Sequence, residues 1–270
     1  MLQIPRIAVL IPAYNAEKTI VKALDSLKAN SEPHDIIVVD DGSALPLKKL
    51  LKPEDNLVIL RADRNLGVAA AANIGLRYIL DRDYEFVARL DADDAATPDR
   101  LAVQRAFMHE HPDVALVGGW GRVVSEIGKT VFYLNYPTGH DDIVKGSFYN
   151  HQFIHSTLMI RTETLREVGL YNEQTYPNYS DDHELTSRIA RYAKVANMPL
   201  YLVDYTLSPQ GISLSKRGRQ LRARLVVQYK YRDFGNIHFY LGICKTLVLM
   251  LLPYRLVTAI KKRKKEYRKR

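Results

Sequence analysis

Three groups of acidic and polar residues have the types and spacing that catalysis or metal binding requires. The densest is the Asp-Ala-Asp-Asp run at residues 91–94, which places three carboxylates within four positions. Carboxylate oxygens are ligands that Mg²⁺ and Mn²⁺ prefer, and one or two of them commonly hold such an ion together with substrate phosphates. Two smaller groups precede it, Tyr14-Asn15 and Asp40-Asp41. Each group alone would also suit an ordinary turn, so their joint placement decides the interpretation.

The segments that lead into these groups predict buried strands. Short apolar runs occupy Ile7–Ile11, Ile36–Val39, Leu57–Leu60 and Phe86–Leu90. Helical patterns lie between and after them: Ala16–Lys28, Val68–Leu80, and a segment ending near His109 that Thr97 would cap and Pro98 would open. This alternation predicts an α/β fold with a mostly parallel, Rossmann-like sheet flanked by helices. Ligands of such sheets bind beyond the carboxyl ends of the strands, where the three polar groups would meet.

The second half of the chain is less regular. Val114–Val117, Thr157–Ile160 and Tyr201–Val203 predict strands. Asp181–Ala193 predicts a helix whose acidic first turn suits the helix dipole. The polar, turn-forming stretch Ser208–Arg219 marks the expected end of this part of the chain.

Five short motifs resemble, in order, the signatures of family 2 glycosyltransferases. They are Ile11-Pro-Ala-Tyr-Asn15, Val38-Val-Asp-Asp-Gly-Ser43, Asn65-Leu-Gly67 with Asn73, Arg89-Leu-Asp-Ala-Asp-Asp94, and Asp181-Asp-His-Glu-Leu185. The resemblance covers about residues 6–215 and implies the GT-A fold. In that fold a nucleotide-binding half, residues 1–100, and an acceptor-binding half, residues 101–215, form one domain. The resemblance also implies inversion at the anomeric carbon.

The resemblance assigns a role to each matching residue. Tyr14 would pack on a uracil ring, and Asp41 would hydrogen-bond the base, with Asp40 nearby. Asp91 would lie near the ribose or the donor sugar, and Asp93 would bind the Mn²⁺ or Mg²⁺ ion that bridges the two phosphates. The implied nucleotide-sugar site comprises Pro12, Tyr14, Asn15, Asp40, Asp41, Asn65, Gly67, Asn73, Asp91, Ala92 and Asp93.

Direct displacement needs one base on the acceptor hydroxyl and a stabilised leaving group. By resemblance Asp182 would be that base, although an acidic pair with Asp181 also suits an ordinary helix N-terminus. Asp181, Trp120 and His155 are further candidates for contacts with the acceptor or the donor sugar. Trp120 would stack on a sugar ring, and as the only Trp it would equally suit the core. His155 would equally hold a neighbouring loop.

The chain departs from the family pattern at one place. Many members carry Tyr-Arg-x-His where this chain reads Tyr205-Thr-Leu-Ser208, so both the Arg and the His are missing. The resemblance therefore supplies no third protein ligand for the metal. A phosphate contact from Lys216, Arg217 or Arg219 is the alternative to a solvated basic loop.

Charge is distributed unevenly along the 270 residues, whose formal net charge is +9. Residues 1–215 hold 22 basic and 28 acidic residues. Residues 216–260 hold 9 basic residues and 1 acidic residue, and residues 261–270 hold 8 basic residues and 1 acidic residue. The basic region contains an amphipathic pattern at residues 216–232, followed by the apolar segment Ile237–Leu252. Apolar residues beside dense basic charge predict binding to an anionic membrane surface. The alternative is that the apolar segment packs on the rest of the protein or on a second copy.

The number of cysteines and the lengths of the apolar segments limit the cellular compartments and the kinds of partner that the sequence predicts. The single cysteine, Cys244, excludes a disulfide framework and a cysteine-rich zinc site, and it suits a reducing compartment. No uncharged apolar run reaches the ~20 residues that a spanning helix needs, and the first apolar run is too short for a signal peptide. We expect residues 216–270 to form a helical, membrane-associating region of a cytoplasmic protein, peripheral on the inner face of the cell membrane. Nucleic-acid binding is disfavoured because no recognised nucleic-acid fold accompanies the charge, and a homodimer is left open.

A metal-dependent, inverting glycosyltransferase unites these observations. It would move a hexose or N-acetylhexosamine from a UDP-sugar to a saccharide acceptor, polyprenyl- or lipid-linked, in bacterial polysaccharide or lipopolysaccharide synthesis. One alternative is a sugar-phosphate nucleotidyltransferase, which would need a Gly-rich basic loop where the chain reads Pro12-Ala-Tyr-Asn15. A dinucleotide-dependent oxidoreductase would need Gly-x-Gly-x-x-Gly there. The other alternative is a nucleotide-binding or membrane-scaffolding protein with a decayed site. The sequence argues against decay because it retains Asp91, Asp93 and Asp182.

Overall fold

The computed structural model describes residues 7–173, 180–206 and 217–252, and its strands form one mixed sheet. The strands in these ranges are β1 (Ile7–Ala13), β2 (His34–Asp40), β3 (Leu57–Arg61), β4 (Phe86–Arg89), β5 (Ala95–Ala96), β6 (Val114–Val124), β7 (Thr130–Leu134), β8 (Met159–Arg161) and β9 (Lys194–Thr206). Their order is β3-β2-β1-β4-β8-β6-β9-β5, and β7 pairs with β6 outside this path.

Helices cover both faces of the sheet. They are α1 (Ile20–Lys28), α2 (Leu47–Leu50), α3 (Val68–Leu80), α4 (Arg100–Glu110), α5 (His140–Ser147), α6 (Thr162–Val168), α7 (Asp181–Tyr192), α8 (Arg217–Lys230) and α9 (Ile237–Leu251), with a 3-10 turn at His155–Thr157. Val9 of β1 belongs to a core shared with α1 and α4, whereas Leu10 belongs to a second core shared with α3, α6 and α7. Because both faces are buried, the central strands are continuous apolar runs.

The first half of the sheet is parallel and the second half is mixed. β3, β2, β1 and β4 pair in parallel, which confirms the predicted Rossmann-like half. β8 pairs antiparallel with β4 and β6, and β5 pairs antiparallel with β9, whereas β6 and β9 are parallel. The strand order reverses at β1, since β2 and β4 lie on its two sides. The carboxyl ends of β1 and β4 therefore flank the crevice where doubly wound folds bind ligands.

The C-terminal helices pack on the rest of the protein. An added Cβ at Gly242 of α9 would overlap the Phe148 carbonyl, so the helix backbone lies directly against that residue. The chain at the end of α8 is tied to α7 through Glu184, which is buried and accepts hydrogen bonds from Lys230 Nζ (2.6 Å) and Tyr231 Oη (2.6 Å). One face of the predicted membrane-associating region is thus a protein contact.

The prediction that Thr97 caps α4 is wrong. The helix begins at Arg100, after Asp99, whose φ of 61° lies in the left-handed region. Thr97 instead bonds to β9, since its backbone N–H (3.0 Å) and its hydroxyl (3.1 Å) both donate to the Leu202 carbonyl. The predicted strand Tyr201–Val203 is part of the longer β9, and β7, α5 and α6 are elements that the sequence patterns did not predict.

Several predicted features lie wholly or partly outside the described residues. They are the polar boundary at residues 208–219, the division between residues 215 and 216, and the basic tail at residues 261–270. The division of the chain into a catalytic domain and a C-terminal region therefore stays a prediction.

Candidate active site

The loop after β1 is tied to the loop after β2 by Asn15. Its backbone N–H donates to Ser43 Oγ (2.9 Å), and its Oδ1 accepts from the Ala44 N–H (3.0 Å). Its φ of 49° lies in the left-handed region, which Asn tolerates better than most side chains. The neighbouring Tyr14 is exposed, so its ring is accessible at the carboxyl end of β1.

Asp40, the last residue of β2, is an anchor for the loop that follows it. It is fully buried and accepts hydrogen bonds from the backbone N–H groups of Ser43 (2.9 Å) and Leu47 (3.0 Å) and from the Arg61 guanidinium. Burial opposes its ionisation, but these hydrogen bonds outweigh burial and lower the pKa of Asp40 from its ordinary value. Asp40 is therefore ionised, and its hydrogen bonds hold the loop after β2 in place.

Asp41 shapes the segment that leads into α3. Its two carboxylate oxygens accept from the backbone N–H groups of Leu66 (2.8 Å) and Gly67 (3.0 Å). Burial raises the pKa of Asp41 despite these bonds. Each carboxylate oxygen has a second lone-pair direction, so the predicted hydrogen bond to a base would add to this loop contact without replacing it.

Asp94 is the buried member of the acidic run. Its carboxylate accepts from the Ser156 hydroxyl and from the Thr206 N–H (2.9 Å). Burial and the charges of Asp91 and Asp93 raise the pKa of Asp94 well above its ordinary value. Asp94 thus joins the end of β9 to the turn after β4 and is not free to bind a ligand.

Asp93 is the member of the run with an unpaired carboxylate. Asp91 pairs with the buried Arg89, with 3.0 Å between Oδ1 and Nη2, whereas Asp93 has no ion-pair partner in the described part of the chain. Burial and then the charge of Asp91 raise the pKa of Asp93 to about 6. A bound cation would relieve this repulsion, and a hard oxygen donor suits Mn²⁺ or Mg²⁺. Within the described ranges, no three His, Cys, Asp or Glu side chains are placed to hold a metal ion together.

Two buried arginines brace the strand end from which the acidic run projects. Arg89 Nη1 donates to the Leu10 carbonyl of β1 (3.0 Å). Arg100 donates from Nη2 to the Arg89 carbonyl (2.8 Å) and from Nε to Gln104 Oε1 (2.9 Å), and burial lowers the pKa of Arg100 to about 9. Buried guanidinium groups are costly unless they are hydrogen-bonded, so these contacts hold β4 in one position.

His155 lies within electrostatic reach of both the acidic run and α7. Its Nε2 is 2.7 Å from Tyr171 Oη and 3.4 Å from Arg89 Nε, and its Nδ1 is 3.8 Å from Asp91 Oδ1. Burial and then the charge of Arg89 lower the pKa of His155 to about 4, while the charges of Asp91 and Asp182 act in the opposite direction. His155 is therefore a neutral hydrogen-bonding group at neutral pH.

Asn73 of α3 fixes the backbone of Tyr171, the partner of His155. Its Oδ1 accepts from the Tyr171 N–H (3.0 Å), and its Nδ2 donates to the Tyr171 carbonyl (2.8 Å) and to Glu173 Oε1 (2.8 Å). Asn73 is buried. Its contacts in the described structure hold Tyr171, which in turn contacts His155.

Asp182, in the first turn of α7, is an accessible carboxylate with two fixed donors. Its Oδ2 is 3.1 Å from His151 Nδ1, and its Oδ1 accepts from the His183 N–H (2.7 Å). Burial would raise its pKa, but the charge and hydrogen bond of His151 outweigh burial and hold the pKa of Asp182 well below its usual range. At neutral pH it is therefore ionised, as a general base must be. Burial and the charge of Asp182 raise the pKa of the adjacent Asp181 to about 6.

Trp120 belongs to an aromatic cluster on β6, β7 and β9. Its Nε1 donates to the Tyr136 carbonyl (3.0 Å), and its ring lies 5.6 Å from that of Tyr201 between centroids. Tyr201 in turn lies 5.0 Å from Tyr133. The half-buried Trp120 is therefore fixed in orientation, and its contact with a sugar stays a prediction.

The structure connects most of the predicted site residues through two sets of contacts. One set ties the loops after β1 and β2 to the start of α3. The other joins the acidic run to His155, Tyr171 and Asn73, whereas Asp182 of α7 acts on His155 through its charge and contacts His151. Pro12 lies in β1, and Ala92 lies in the turn after β4. Asn65 is exposed and directly precedes Leu66, whose N–H donates to Asp41. The contacts that the described structure gives Trp120 are with Tyr136 and Tyr201, which belong to neither set. Sequence reasoning included Arg89 in a motif without giving it a role, and it missed four further residues: Arg100, His151, Ser156 and Tyr171. For His151 the one available signal was its closeness in sequence to His155.

Comparison with known proteins places these features in a family. The model of glycosyl transferase family 2 matches residues 8–169. The amylovoran biosynthesis glycosyltransferase AmsE of Erwinia amylovora is 30% identical over 203 residues, which are 71% of this chain and 73% of that protein.

Two solved structures share the fold. TarS residues 1–349 of S. aureus, in complex with UDP-GlcNAc, gives a TM-score of 0.66 at 19% identity and covers 90% of this chain and 71% of that chain. The mannosyltransferase PcManGT of Pyrobaculum calidifontis, in complex with GDP-Man and Mn²⁺, also gives 0.66 at 19% identity, with 92% and 70% covered. Since the family model spans more than half of the chain, the chain belongs to glycosyl transferase family 2, and it has the GT-A fold that these neighbours share.

Proposed function

We propose that this glycosyltransferase is inverting and metal-dependent, and that it moves a hexose or N-acetylhexosamine from a UDP-sugar to a saccharide acceptor. The acceptor is lipid-linked and lies at the cytoplasmic face of a bacterial membrane, in polysaccharide or lipopolysaccharide synthesis. The observation that carries the proposal is the short segment 151–155, whose two ends contact two carboxylates: His155 Nδ1 is 3.8 Å from Asp91 Oδ1, and His151 Nδ1 is 3.1 Å from Asp182 Oδ2. A donor-side carboxylate and a candidate base thus border one crevice.

The donor assignment rests on the loops after β1 and β2. Tyr14 presents an exposed ring for stacking, and Asp41 holds the backbone that leads into α3. The UDP-GlcNAc complex of TarS supports a uridine donor, whereas the equally similar PcManGT binds GDP-Man, so the choice of uridine rests on the resemblance of the Tyr14 and Asp41 motifs. The amylovoran role in the name of AmsE supports polysaccharide synthesis.

The metal assignment rests on Asp93, whose carboxylate has no ion-pair partner among the described residues and lies beside Asp91. Asp93 would hold Mn²⁺ or Mg²⁺, and the Mn²⁺ complex of PcManGT supports this choice. When bound, the ion would stabilise the negative charge of the departing diphosphate.

The transfer step uses Asp182 as the general base. As the acceptor oxygen bonds to the anomeric carbon, its proton passes to the Asp182 carboxylate. The bond from the anomeric carbon to the diphosphate breaks, and UDP leaves with the electron pair. Attack opposite the leaving group inverts the configuration at that carbon. Asp182 suits this role because it is ionised at neutral pH and its side chain is about one-third exposed, at 35%.

The proposal is tested by measuring UDP release and donor-induced thermal shifts. The panel is UDP-Glc, UDP-Gal, UDP-GlcNAc, UDP-GalNAc and GDP-Man, with and without Mn²⁺. We expect one UDP-sugar to raise the melting temperature in a metal-dependent way. Asp182→Asn should lower turnover by about 10²- to 10⁴-fold, because it removes the base, and should keep the thermal shift. Asp93→Asn should abolish the metal dependence of that shift.

Asp113→Asn is the matched control, because Asp113 is an exposed carboxylate paired with Lys194 (2.8 Å) outside these contacts. It should keep wild-type turnover. Near-wild-type turnover of Asp182→Asn would overturn the base assignment. The absence of a shift with every UDP-sugar, in a folded sample, would overturn the donor assignment.

The membrane part of the proposal rests on the outer face of α9. Exposed side chains at helical spacing form this outer face: Ile237, Tyr240, Leu241, Cys244, Leu247, Val248 and Leu251. In the ranges that the structure describes, no helix has the length and hydropathy to span a bilayer. An in-plane helix buries such a face at the lipid boundary, and basic residues add attraction to anionic lipid. We therefore propose that the outer face of α9 meets an anionic lipid surface.

A further inference from the structure

The candidate base is paired with a histidine to which no role has been assigned so far. His151 lies in the loop between α5 and the 3-10 turn at His155–Thr157, and its Nδ1 is 3.1 Å from Asp182 Oδ2. Its other nitrogen, Nε2, is 3.1 Å from Thr186 Oγ1, one turn further along α7. The ring therefore bridges two positions on the same face of α7.

The direction of the hydrogen bond between His151 and Asp182 is set by the carboxylate. Because the ionised Asp182 carboxylate only accepts, the nitrogen that faces it, His151 Nδ1, carries a hydrogen and donates it. The Thr186 hydroxyl can accept or donate, so it suits His151 Nε2 with or without a hydrogen, and it also lies 2.8 Å from the Asp182 backbone carbonyl. A hydrogen bond to a charged carboxylate is stronger than one between neutral groups.

The loop that carries His151 is held from the other side by α8. Arg224 donates to the Tyr149 carbonyl (3.3 Å) and to Asn150 Oδ1 (2.6 Å), and Gln228 donates to the Phe148 carbonyl. These contacts span the three residues before His151. The imidazole is therefore placed by the loop and its contacts with α8, and it places Asp182 in turn.

We propose that His151 is a positioning residue for Asp182, whose Nδ1–H keeps the carboxylate in one orientation toward the acceptor hydroxyl. This inference rests on the proposed function, since it takes Asp182 as the base. Asp182 Oδ1 is already fixed by the His183 N–H, so His151 supplies the second point that sets the carboxylate plane. A general base must lie within hydrogen-bond reach of the proton it takes, and small misplacements are costly.

Steady-state kinetics of two replacements test this inference. His151→Leu removes the donor and should lower kcat by about 10- to 100-fold, with the donor KM and the metal-dependent thermal shift unchanged. His151→Asn keeps a side-chain N–H near the position of Nδ1 and should restore most of kcat. In the Asp182→Asn background, His151→Leu should cause no further loss, because residues that act as a unit are not additive. His109→Leu, a surface replacement of the same kind, should leave kcat unchanged.

The outcomes separate this inference from the proposed function. Wild-type kcat in a folded His151→Leu protein, or an equal loss in His151→Asn and His151→Leu, would overturn the positioning role. A full further loss in the double variant would also overturn it, because His151 would then act independently of Asp182. If Asp182→Asn itself keeps turnover, the base assignment fails whatever the His151 variants show.

Discussion

At the residue scale, His183, which follows the candidate base Asp182 in the chain, is kept uncharged in the folded protein. His183 is buried, and its Nε2 bonds to the Ser147 carbonyl (3.1 Å). Burial and then the charge of His151 lower the pKa of His183 to about 3, against about 6.5 in an unfolded chain. The unfolded state therefore binds more protons at His183 between these values. The contribution of His183 to stability falls as the pH drops below about 6.5.

His183→Gln should remove this acid sensitivity while keeping a side-chain N–H for the Ser147 carbonyl. We expect the wild type to lose about 2 to 3 kcal/mol more unfolding free energy than the variant between pH 7 and pH 4.5. Urea denaturation of both proteins at the two pH values measures this difference. The raised pKa values of Asp93 and Asp181 act in the opposite direction but are common to both proteins. A difference that stays constant with pH would contradict the prediction.

Sequence reasoning located the carboxylates of the site but not their full set of contacts. Asp41 and Asp93 follow buried strands, and parallel pairing brings such positions to one edge of a sheet. The partners of these residues are set by tertiary contacts that leave no periodic signal. His151 illustrates this, because an isolated His in a loop has no distinctive spacing. Arg89 opens the Arg89–Asp94 motif, but the motif does not indicate its bond to the Leu10 carbonyl of β1. The resemblance to a family named Asp182 as the base, but nothing in the sequence indicated its histidine partner.

At the element scale, the close approach of α9 to the rest of the protein depends on one missing side chain. Gly242 lies against the Phe148 carbonyl, and the Thr246 hydroxyl, one turn further, bonds back to the Gly242 carbonyl (3.0 Å). Glycine weakens a helix by about 1 kcal/mol relative to alanine. The close contact with Phe148 therefore explains why a glycine occupies position 242 of α9.

Gly242→Ala should loosen α9 although it raises helix propensity. Overpacking of this kind costs about 1 to 3 kcal/mol, because backbone atoms cannot move aside as a side chain can. Gly218→Ala in α8 is the matched control, since a Cβ there meets no atom within 4 Å. Hydrogen exchange of the α9 amides should become faster in Gly242→Ala and stay unchanged in Gly218→Ala. Equal exchange in both variants would show that Gly242 does not set the packing of α9.

The elements that the sequence patterns missed differ physically from those they predicted. β1 and the central part of β2, Ile36–Val39, are buried on both faces and read as apolar runs. β7 is largely exposed, and α5 buries only Ile143, so neither has a clear apolar face. β9 contains Pro199, and its pairing with β6 shifts register near Trp120. A proline and a register shift both interrupt the pattern by which a long strand is predicted.

At the scale of the whole molecule, the helix whose first turn carries the candidate base is bonded to the end of α8. Glu184 of α7 is buried, and it accepts from Arg188 Nη2 (3.1 Å) as well as from Lys230 and Tyr231. Arg191 Nη2 adds a bond to the Tyr231 carbonyl (2.6 Å). An enzyme held on lipid through α9 would therefore present its crevice in a set orientation. That arrangement suits an acceptor whose own lipid fixes its distance from the membrane.

Membrane binding through the outer face of α9 can be measured with the single cysteine, because Cys244 is exposed on that face. An environment-sensitive dye on Cys244 should shift to the blue with vesicles of anionic lipid, and binding should fall with salt. Replacing Leu241 and Val248 by Glu removes two apolar side chains, worth about 1.5 to 3 kcal/mol each when buried, so vesicle co-sedimentation should fall more than tenfold. Ile127→Glu, the same change at an exposed turn residue, should leave binding intact. Equal binding by all three proteins would place the lipid contact elsewhere, and binding by none would leave the outer face of α9 to a protein partner.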